Sequence, residues 1–159
     1  MSTAGAWLAF AVAFCPAGCA AASSEREGVA GRVVRVADGD TLTVLVSNQQ
    51  VRVRLQGIDA PESAQAFGTR SKQALSDKVF GKDVRLAWAG KDRYGRVLGD
   101  VYAGGRWVNL EMVAEGWAWH YVRYSSDKRL ADAEAAARAA RLGLWQDQAP
   151  VPPWEFRRK

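Results

Sequence analysis

The chain has 159 residues, of which 48% are apolar and 25% are charged, and these values are typical of one globular domain and exclude a collagen-like, low-complexity or wholly disordered protein. The 22 Lys and Arg residues outnumber the 17 Asp and Glu residues, which gives a formal net charge of +5. Sixteen of these 22 are arginines, and because a guanidinium group binds phosphate through paired hydrogen bonds, the balance favours an anionic partner, above all nucleic acid.

The first 24 residues are predicted to be an export signal. They contain no charged side chain, and the apolar run Ala6–Phe14 is followed by small residues from Ala17 to Ala22. This order is typical of a secretory signal, and the run is shorter than the roughly 20 apolar residues of a membrane span. Cys19 ends a motif that resembles a bacterial lipoprotein signal, whereas cleavage near Ala20–Ala22 is the alternative. We therefore expect an exported protein that is periplasmic, secreted or lipid-anchored through Cys19; a buried N-terminal helix is the competing interpretation.

The remaining chain is divided into a linker (25–28), one domain (29–147) and a C-terminal tail (148–159). Both cysteines, Cys15 and Cys19, lie in the predicted signal, so the domain has neither a disulfide nor a thiolate nucleophile. His120 is the one histidine, which excludes a multi-histidine zinc site, and we interpret it as structural. The domain must therefore be stabilised by an ordinary apolar core.

Short runs rich in Val, Leu and Thr, separated by turn residues, predict strands in the domain. In the third run, Val51, Val53 and Leu55 alternate with Arg52 and Arg54, so the apolar side chains and the arginines occupy opposite faces. The predicted strands are 29–36, 41–46, 51–55, 84–88 and 97–102, and residues 117–121 are predicted to be extended.

Three helices are predicted by helical patterning and by the glycines that follow them. They are 69–80 before Gly81, 108–115 before Gly116, and 127–141 before Gly143, the last capped by Ser125 or Ser126. The proline-rich tail is expected to be non-regular. Five short, mostly antiparallel strands with few helices favour an α+β fold built on a small closed barrel rather than a βαβ sheet.

Three polar clusters carry the residues that could perform chemistry. They are the turn Asp38-Gly39-Asp40-Thr41, the segment from Arg54 to Glu62 that contains Asp59-Ala60-Pro61-Glu62, and the turn Asp92-Arg93-Tyr94-Gly95-Arg96. Each alone has an ordinary interpretation, because Asp-Gly and Tyr-Gly are common in turns and strand arginines usually face solvent. Their occurrence together and in this order is what supports a functional site.

In this order, and with Trp145 after the last helix, the clusters resemble the staphylococcal nuclease (thermonuclease) family from about Val29 to Trp145. The resemblance implies a five-stranded OB-fold barrel with about three flanking helices. It also implies a calcium-dependent endonuclease that cleaves DNA and RNA with little sequence preference and leaves 3′-phosphates. Asp40, Asp59 and the backbone carbonyl of Ala60 would bind Ca²⁺.

The same resemblance implies the catalytic and substrate-binding roles. Glu62 would be the general base that activates water, and Arg54 and Arg96 would clamp the scissile phosphate. Arg93, Tyr94, Tyr121 and Tyr124 are candidates for substrate binding, and we expect a monomer.

Elementary chemistry agrees with these roles. Calcium prefers oxygen ligands and leaves positions for water and a phosphate oxygen. Guanidinium groups stay charged and donate in pairs to the oxygens on which negative charge develops. The alternatives are a nucleic-acid-binding module that has lost catalysis, and an adhesin with a structural calcium site. Degenerate binding modules usually lose the ligand or arginine positions, which are all present here, and arginines that face the cation would be hard to explain in the adhesin.

Overall fold

The computed structural model describes residues 28–158, so the predicted signal and almost the whole predicted linker lie outside the described residues. Within this range no helix is long and apolar enough to cross a membrane. The strands are β1 (Gly28–Val36), β2 (Thr41–Val46), β3 (Gln49–Leu55), β4 (Ile58–Asp59), β5 (Asp83–Lys91), β6 (Val97–Ala103), β7 (Arg106–Trp107) and β8 (Trp119–His120). The helices are α1 (Gly68–Val79), α2 (Val108–Ala114), α3 (Lys128–Ala139) and α4 (Pro153–Phe156), with a 3₁₀ turn at Gly143–Gln146.

Five strands form a closed barrel. Neighbouring strands are antiparallel in the order β3-β2-β1-β5-β6, and β7 extends the sheet beyond β6. The barrel closes through a parallel pairing of β3 with β6, in which Val53 faces Val97 and Leu55 faces Gly99. The predicted α+β fold with a five-stranded OB-type barrel is confirmed.

Alternate strand residues fill the barrel, as the period-two pattern predicts. Leu42, Val44, Val53 and Leu55 are at most 1% exposed, and the apolar faces of α1 and α2 pack onto the same core. Arg52, on the opposite face of β3, is exposed. This packing fixes β3, whose C-terminal end carries Arg54.

A second, aromatic core lies beside the barrel. Trp119 and Trp145 are buried and their rings meet edge to face at 4.4 Å between centroids. Trp154, in the C-terminal segment, packs edge to face on Trp119 at 5.6 Å. The expectation of a non-regular tail is therefore wrong for residues 153–156, which form α4 because apolar contacts hold them against this core.

Local contacts shift three other predicted boundaries. Ser47 and Asn48 both adopt positive φ in a two-residue hairpin turn, so β3 begins at Gln49. Only Trp119–His120 of the predicted extended segment pairs as a strand, with Ile58–Asp59 of β4. Helix α3 is capped by Asp127, whose Oδ1 accepts a hydrogen bond from the Arg129 N–H at 2.9 Å, and not by Ser125 or Ser126.

The Asp127 cap predicts a pH-dependent contribution to stability. Hydrogen bonds from Arg129 are the main reason that the pKa of Asp127 is lowered. A carboxyl group whose pKa is lower in the folded protein stabilises it above the unfolded-state pKa of about 4 and loses that effect as pH falls through the folded pKa. Asp127→Ala should cost about 1 kcal/mol at pH 7, and this difference should shrink below about pH 4.

Urea unfolding of wild type and variant at pH 7, 4 and 3 measures this effect. Asp132→Ala is the matched control, because Asp132 is exposed on the same helix and pairs only with Lys128 in the described structure. A cost that is equal for the two variants, or independent of pH, would contradict the assignment.

Candidate active site

Three loops converge at one end of the barrel around a cleft of about 1000 Å³. They are the turn between β1 and β2, the segment from the end of β3 through β4, and the turn between β5 and β6. All ten residues singled out by the sequence line this cleft: Asp40, Arg54, Asp59, Ala60, Glu62, Arg93, Tyr94, Arg96, Tyr121 and Tyr124. Residues far apart in sequence thus share one surface, and their individual roles remain predictions.

The first loop is held tightly against its neighbours. Asp38 Oδ1 accepts the backbone N–H of Asp40 at 3.0 Å, and Asp40 Oδ2 accepts the backbone N–H of Ala60 at 2.6 Å. Gly39 is required by packing, because a Cβ there would lie 1.9 Å from Ser71 Oγ on α1. The Asp-Gly-Asp sequence therefore positions the Asp40 carboxylate beside the end of β4.

Asp59 is the centre of the charge network. It is fully buried, and its Oδ1 accepts Arg54 Nη2 at 2.7 Å. The same Arg54 nitrogen lies 3.1 Å from Asp40 Oδ2. Arg54 Nη1 donates to the backbone carbonyls of Leu55 and Ile58 at 3.0 and 2.8 Å. One guanidinium group therefore holds two buried carboxylates and the loop between them.

Burial raises the pKa of the Asp40 carboxyl group to about 7, with Asp38 and Asp59 adding to the rise and Arg54 opposing it. The negative charge of Asp40 is thus only partly compensated by the neighbouring arginine. Asp40 and Asp59 are both buried and share one guanidinium nitrogen, and such a pair of carboxylates favours binding of a further cation or a proton.

The third loop presents Arg96. Asp92 Oδ2 accepts Arg96 Nε at 2.7 Å, and Asp92 Oδ1 accepts the backbone N–H groups of Tyr94 and Arg96. Burial raises the pKa of Asp92, but the hydrogen bonds from Arg96 and Tyr94 outweigh it and the pKa is lowered. Within residues 28–158 this is the only ion pair of Arg96. Its two terminal nitrogens therefore remain as donors for a phosphate.

Aromatic side chains line the rim. Tyr94 and Tyr124 are 68% and 65% exposed, and the guanidinium groups of Arg93 and Arg96 lie 4.8 and 5.6 Å from the Tyr94 ring centroid. Tyr121 is stacked on Trp154 at 5.1 Å with nearly parallel rings. One face of the Tyr121 ring is therefore covered by the tail, whereas Tyr94 and Tyr124 are mostly exposed to solvent.

Two arginines of the cleft were not singled out by the sequence-based prediction, Arg123 and Arg157. Arg157 Nη2 lies 2.7 Å from Asp59 Oδ2, and its Nη1 lies 2.6 Å from Glu62 Oε1. The prediction missed Arg157 because it placed the tail outside the domain. The available signal was the basic pair Arg157-Arg158 shortly after two aromatic residues, Trp154 and Phe156.

A second cleft, of about 640 Å³, lies beyond Gln56 and Gly57. Its charged groups are already paired or stacked: Arg129 binds Asp127 at 2.6 Å, and the guanidinium of Arg85 lies 4.2 Å from the Tyr102 ring centroid. None of the ten predicted site residues except Tyr124 lines it. The first cleft is therefore the candidate active site.

The donor set of the first cleft fits a hard, oxygen-seeking cation. Asp40 and Asp59 offer carboxylate oxygens that share one guanidinium nitrogen, and Ala60 follows directly in the chain. Residues 28–158 contain no cluster of three or more His, Cys, Asp and Glu side chains arranged to hold a metal ion. A cation bound here would consequently have few protein ligands and would keep positions for water and substrate, as calcium and magnesium tolerate.

A closed OB-type barrel with carboxylates and arginines gathered at one end defines a site suited to phosphodiester chemistry. Comparison with known proteins agrees. The family described as "Staphylococcal nuclease homologue" matches residues 52–147, and the chain belongs to this family.

Curated relatives carry corresponding names. An "Uncharacterized endonuclease" of Haemophilus influenzae is 50% identical over 135 residues, which cover 84% of this chain and 76% of that protein. A "Micrococcal nuclease" of Shigella flexneri is 48% identical over 139 residues, covering 80% of each chain. A "Probable staphylococcal-like nuclease CAN1" of Oryza sativa is 44% identical over 110 residues, 69% of this chain and 33% of that protein.

The ion pairs of Arg54 with Asp40 and Asp59 predict that Arg54 stabilises the folded protein in addition to lining the cleft. Arg54→Ala leaves two buried carboxylates without their shared partner, and breaking such a pair costs about 3 kcal/mol or more. Arg52→Ala is a matched control from the same strand, because Arg52 is exposed and should change stability by less than about 0.5 kcal/mol.

Urea unfolding measures the free energy of unfolding of both variants. A chelator is included so that no bound metal ion can replace the positive charge lost with Arg54. Equal losses of stability for Arg52→Ala and Arg54→Ala would show that the observed network does not stabilise the fold.

Proposed function

We propose that this protein is a calcium-dependent endonuclease that hydrolyses the phosphodiester bonds of DNA and RNA. The observation that carries the proposal is the convergence of Asp40, Asp59, Glu62, Arg54 and Arg96 on one cleft. Membership of the staphylococcal nuclease family and relatives named as nucleases support the same activity.

The charge balance of the cleft supports a bound cation. Five arginines line it, and so do five carboxylates. With all ten groups ionised, a phosphodiester would therefore meet a cleft that is neutral overall, although arginines lie within it. A divalent cation makes the cleft net positive and so complements the negatively charged backbone of a nucleic acid.

Asp40, Asp59 and the Ala60 carbonyl are the proposed ligands of the calcium ion. Bound there, calcium would neutralise phosphate charge and polarise a phosphoryl oxygen. The burial of both aspartates serves this role, because carboxylates withdrawn from water bind a cation more strongly than solvated ones.

Glu62 is the proposed general base. Its side chain is about 39% exposed, so water can reach it, and it follows Asp59 by three residues. Pro61 limits the backbone between them, which keeps the Glu62 carboxylate beside the aspartates. Glu62 would take a proton from the attacking water, and by resemblance to the family the products carry 3′-phosphates.

Arg54 and Arg96 are proposed to stabilise the charge that develops on the phosphate oxygens. Asp92 holds Arg96 by its Nε and leaves the terminal nitrogens as donors. Arg54 lies near the end of β3, beside Asp59, and its terminal nitrogens are hydrogen-bonded within the protein, so it would act chiefly through its fixed positive charge. Donors fixed before the reaction need no reorganisation when charge develops, which is the basis of their effect on rate.

The groups that the cleft exposes are the basis for proposing a weak sequence preference. Arginines bind the phosphate backbone, and exposed rings such as Tyr94 and Tyr124 stack on any base. Arg93 and Tyr121 complete the proposed substrate-binding residues. We therefore propose weak sequence preference, together with action as an exported monomer, anchored through Cys19 if the lipoprotein motif is processed.

Calcium dependence is tested with plasmid DNA and with RNA. The purified protein should cleave both in calcium, and excess chelator should abolish cleavage, because without the cation the aspartate carboxylates repel the negatively charged phosphate. Gel analysis of products and labelling of their ends measure activity and the position of the phosphate. Binding of nucleic acid without cleavage in calcium would favour the alternative, a binding module that has lost catalysis.

The role of Glu62 is tested with Glu62→Gln, which preserves shape and removes the base. The rate should fall at least about 100-fold, a typical effect of losing a positioned general base. Glu115→Gln is the control, because Glu115 is an exposed glutamate that pairs with Lys78 away from the cleft. Steady-state cleavage of a fluorescent oligonucleotide gives both rates, and similar rates for wild type and Glu62→Gln would refute the assignment.

A further inference from the structure

Arg157 is an unexpected component of the cleft. It lies 98 residues after Asp59 in sequence and contacts both Asp59 oxygens, at 2.7 Å from Nη2 and 3.3 Å from Nη1. The same Nη1 donates to Glu62 Oε1 at 2.6 Å. One side chain from the C-terminal segment thus binds a proposed metal ligand and the proposed base together.

The backbone that carries Arg157 is anchored independently of these contacts. Trp154 stacks on Tyr121 and packs against Trp119, and Pro153 is buried. The Gln65 side chain also donates a hydrogen bond to the Val151 carbonyl. The backbone of Arg157, which directly follows α4, is therefore held in place by contacts that do not involve its guanidinium group.

The guanidinium group itself can move. The Arg157 side chain is 42% exposed, so it can turn into solvent without unpacking the aromatic core. Its hydrogen bonds with Asp59 are the main reason that its pKa is raised, so it stays charged in every accessible solution. The Arg157 side chain thus places a permanent positive charge beside the carboxylates of Asp59 and Glu62.

A divalent cation and this guanidinium group need the same oxygens. A cation coordinated by Asp59 would need oxygens to which Arg54 and Arg157 already donate. Arg157 is 42% exposed and Arg54 only 13%, so Arg157 is the partner that an incoming cation can displace. The ion pair also occupies Glu62 Oε1, so a water molecule must compete with the Arg157 guanidinium group for that oxygen.

We propose that Arg157 is a displaceable counter-ion that holds Asp59 and Glu62 until a divalent cation replaces it. This inference rests on the proposed function and adds a positioning residue to it. Cation binding at Asp59 releases Arg157, and that release frees Glu62 to accept a proton from water. Activation of the base is in this way coupled to occupation of the cation site.

Calcium titration calorimetry on the purified protein tests the competition. Arg157→Ala should bind calcium about fivefold more tightly, the effect expected from removing a partly exposed competing charge. Arg158→Ala is the matched control, because it removes the same charge from the adjacent exposed residue and should stay within about twofold of wild type. Arg157→Lys should lie between wild type and Arg157→Ala, since an ammonium group competes for the carboxylate without bridging as a fork.

A second readout is the calcium concentration that gives half the maximal cleavage rate. It should fall by the same factor in Arg157→Ala and remain unchanged in Arg158→Ala. Thermal unfolding in chelator confirms that each variant is folded before titration.

The outcomes separate this inference from the proposed function. Equal calcium affinities for wild type and Arg157→Ala, or weaker binding by the variant, would overturn the displaceable counter-ion and leave a calcium-dependent nuclease intact. Absence of calcium binding in all proteins tested would remove both proposals.

Discussion

The arrangement of the cleft depends on the burial of one negative charge. Asp59 is 0% exposed, and an ionised carboxylate away from water is strongly destabilising unless cations and hydrogen bonds compensate it. Arg54 and Arg157 supply that compensation from parts of the chain that are distant in sequence. Because Arg54 also binds Asp40, and Arg157 also binds Glu62, the need to compensate Asp59 draws all of these charged groups into one network.

The barrel gives this network its rigidity. Arg54 stands near the end of β3, which pairs with β2 on one side and closes the barrel against β6 on the other. Asp59 lies in β4, whose partner β8 leads directly to Tyr121. A change in the register of β3 by one residue would turn Arg54 into the core and Val53 outward. The apolar alternation that fills the barrel therefore also determines where the guanidinium group reaches the aspartates.

The parts of the fold that depend on local patterns could be predicted from the sequence. The alternation of Val and Leu with arginines predicted strand β3. The Asp-Gly-Asp turn predicted that Asp40 lies next to the start of a strand. The parallel pairing of β3 with β6 and the short pairing of β4 with β8 could not be predicted in the same way, because they join segments distant in sequence and leave no local periodicity. A two-residue strand such as Ile58–Asp59 is also too short to produce a pattern.

The candidate site shows the same division. Motif order brought together the ten predicted residues, and the structure places them around one cleft. Arg157 has no motif, because its position depends on Trp154 packing against Tyr121 and Trp119. Charge on an exposed tail is usually solvated, and only the three-dimensional contact with a buried carboxylate distinguishes Arg157 from its neighbour Arg158.

The C-terminal tail contributes Arg157 to the site from outside the segment that the family match covers. The family match covers residues 52–147, which include Asp59, Glu62 and Arg96 and end before Arg157. The matched segment thus carries the proposed base, a proposed ligand and a proposed phosphate-binding arginine, whereas Arg157 comes from a segment docked on the aromatic core. A docked segment can change without altering the barrel, so the proposed competition for Asp59 would be adjustable independently of the groups proposed to act on phosphate. Under these proposals, cation affinity and chemical rate would be separable properties, even though both would depend on the same buried carboxylate.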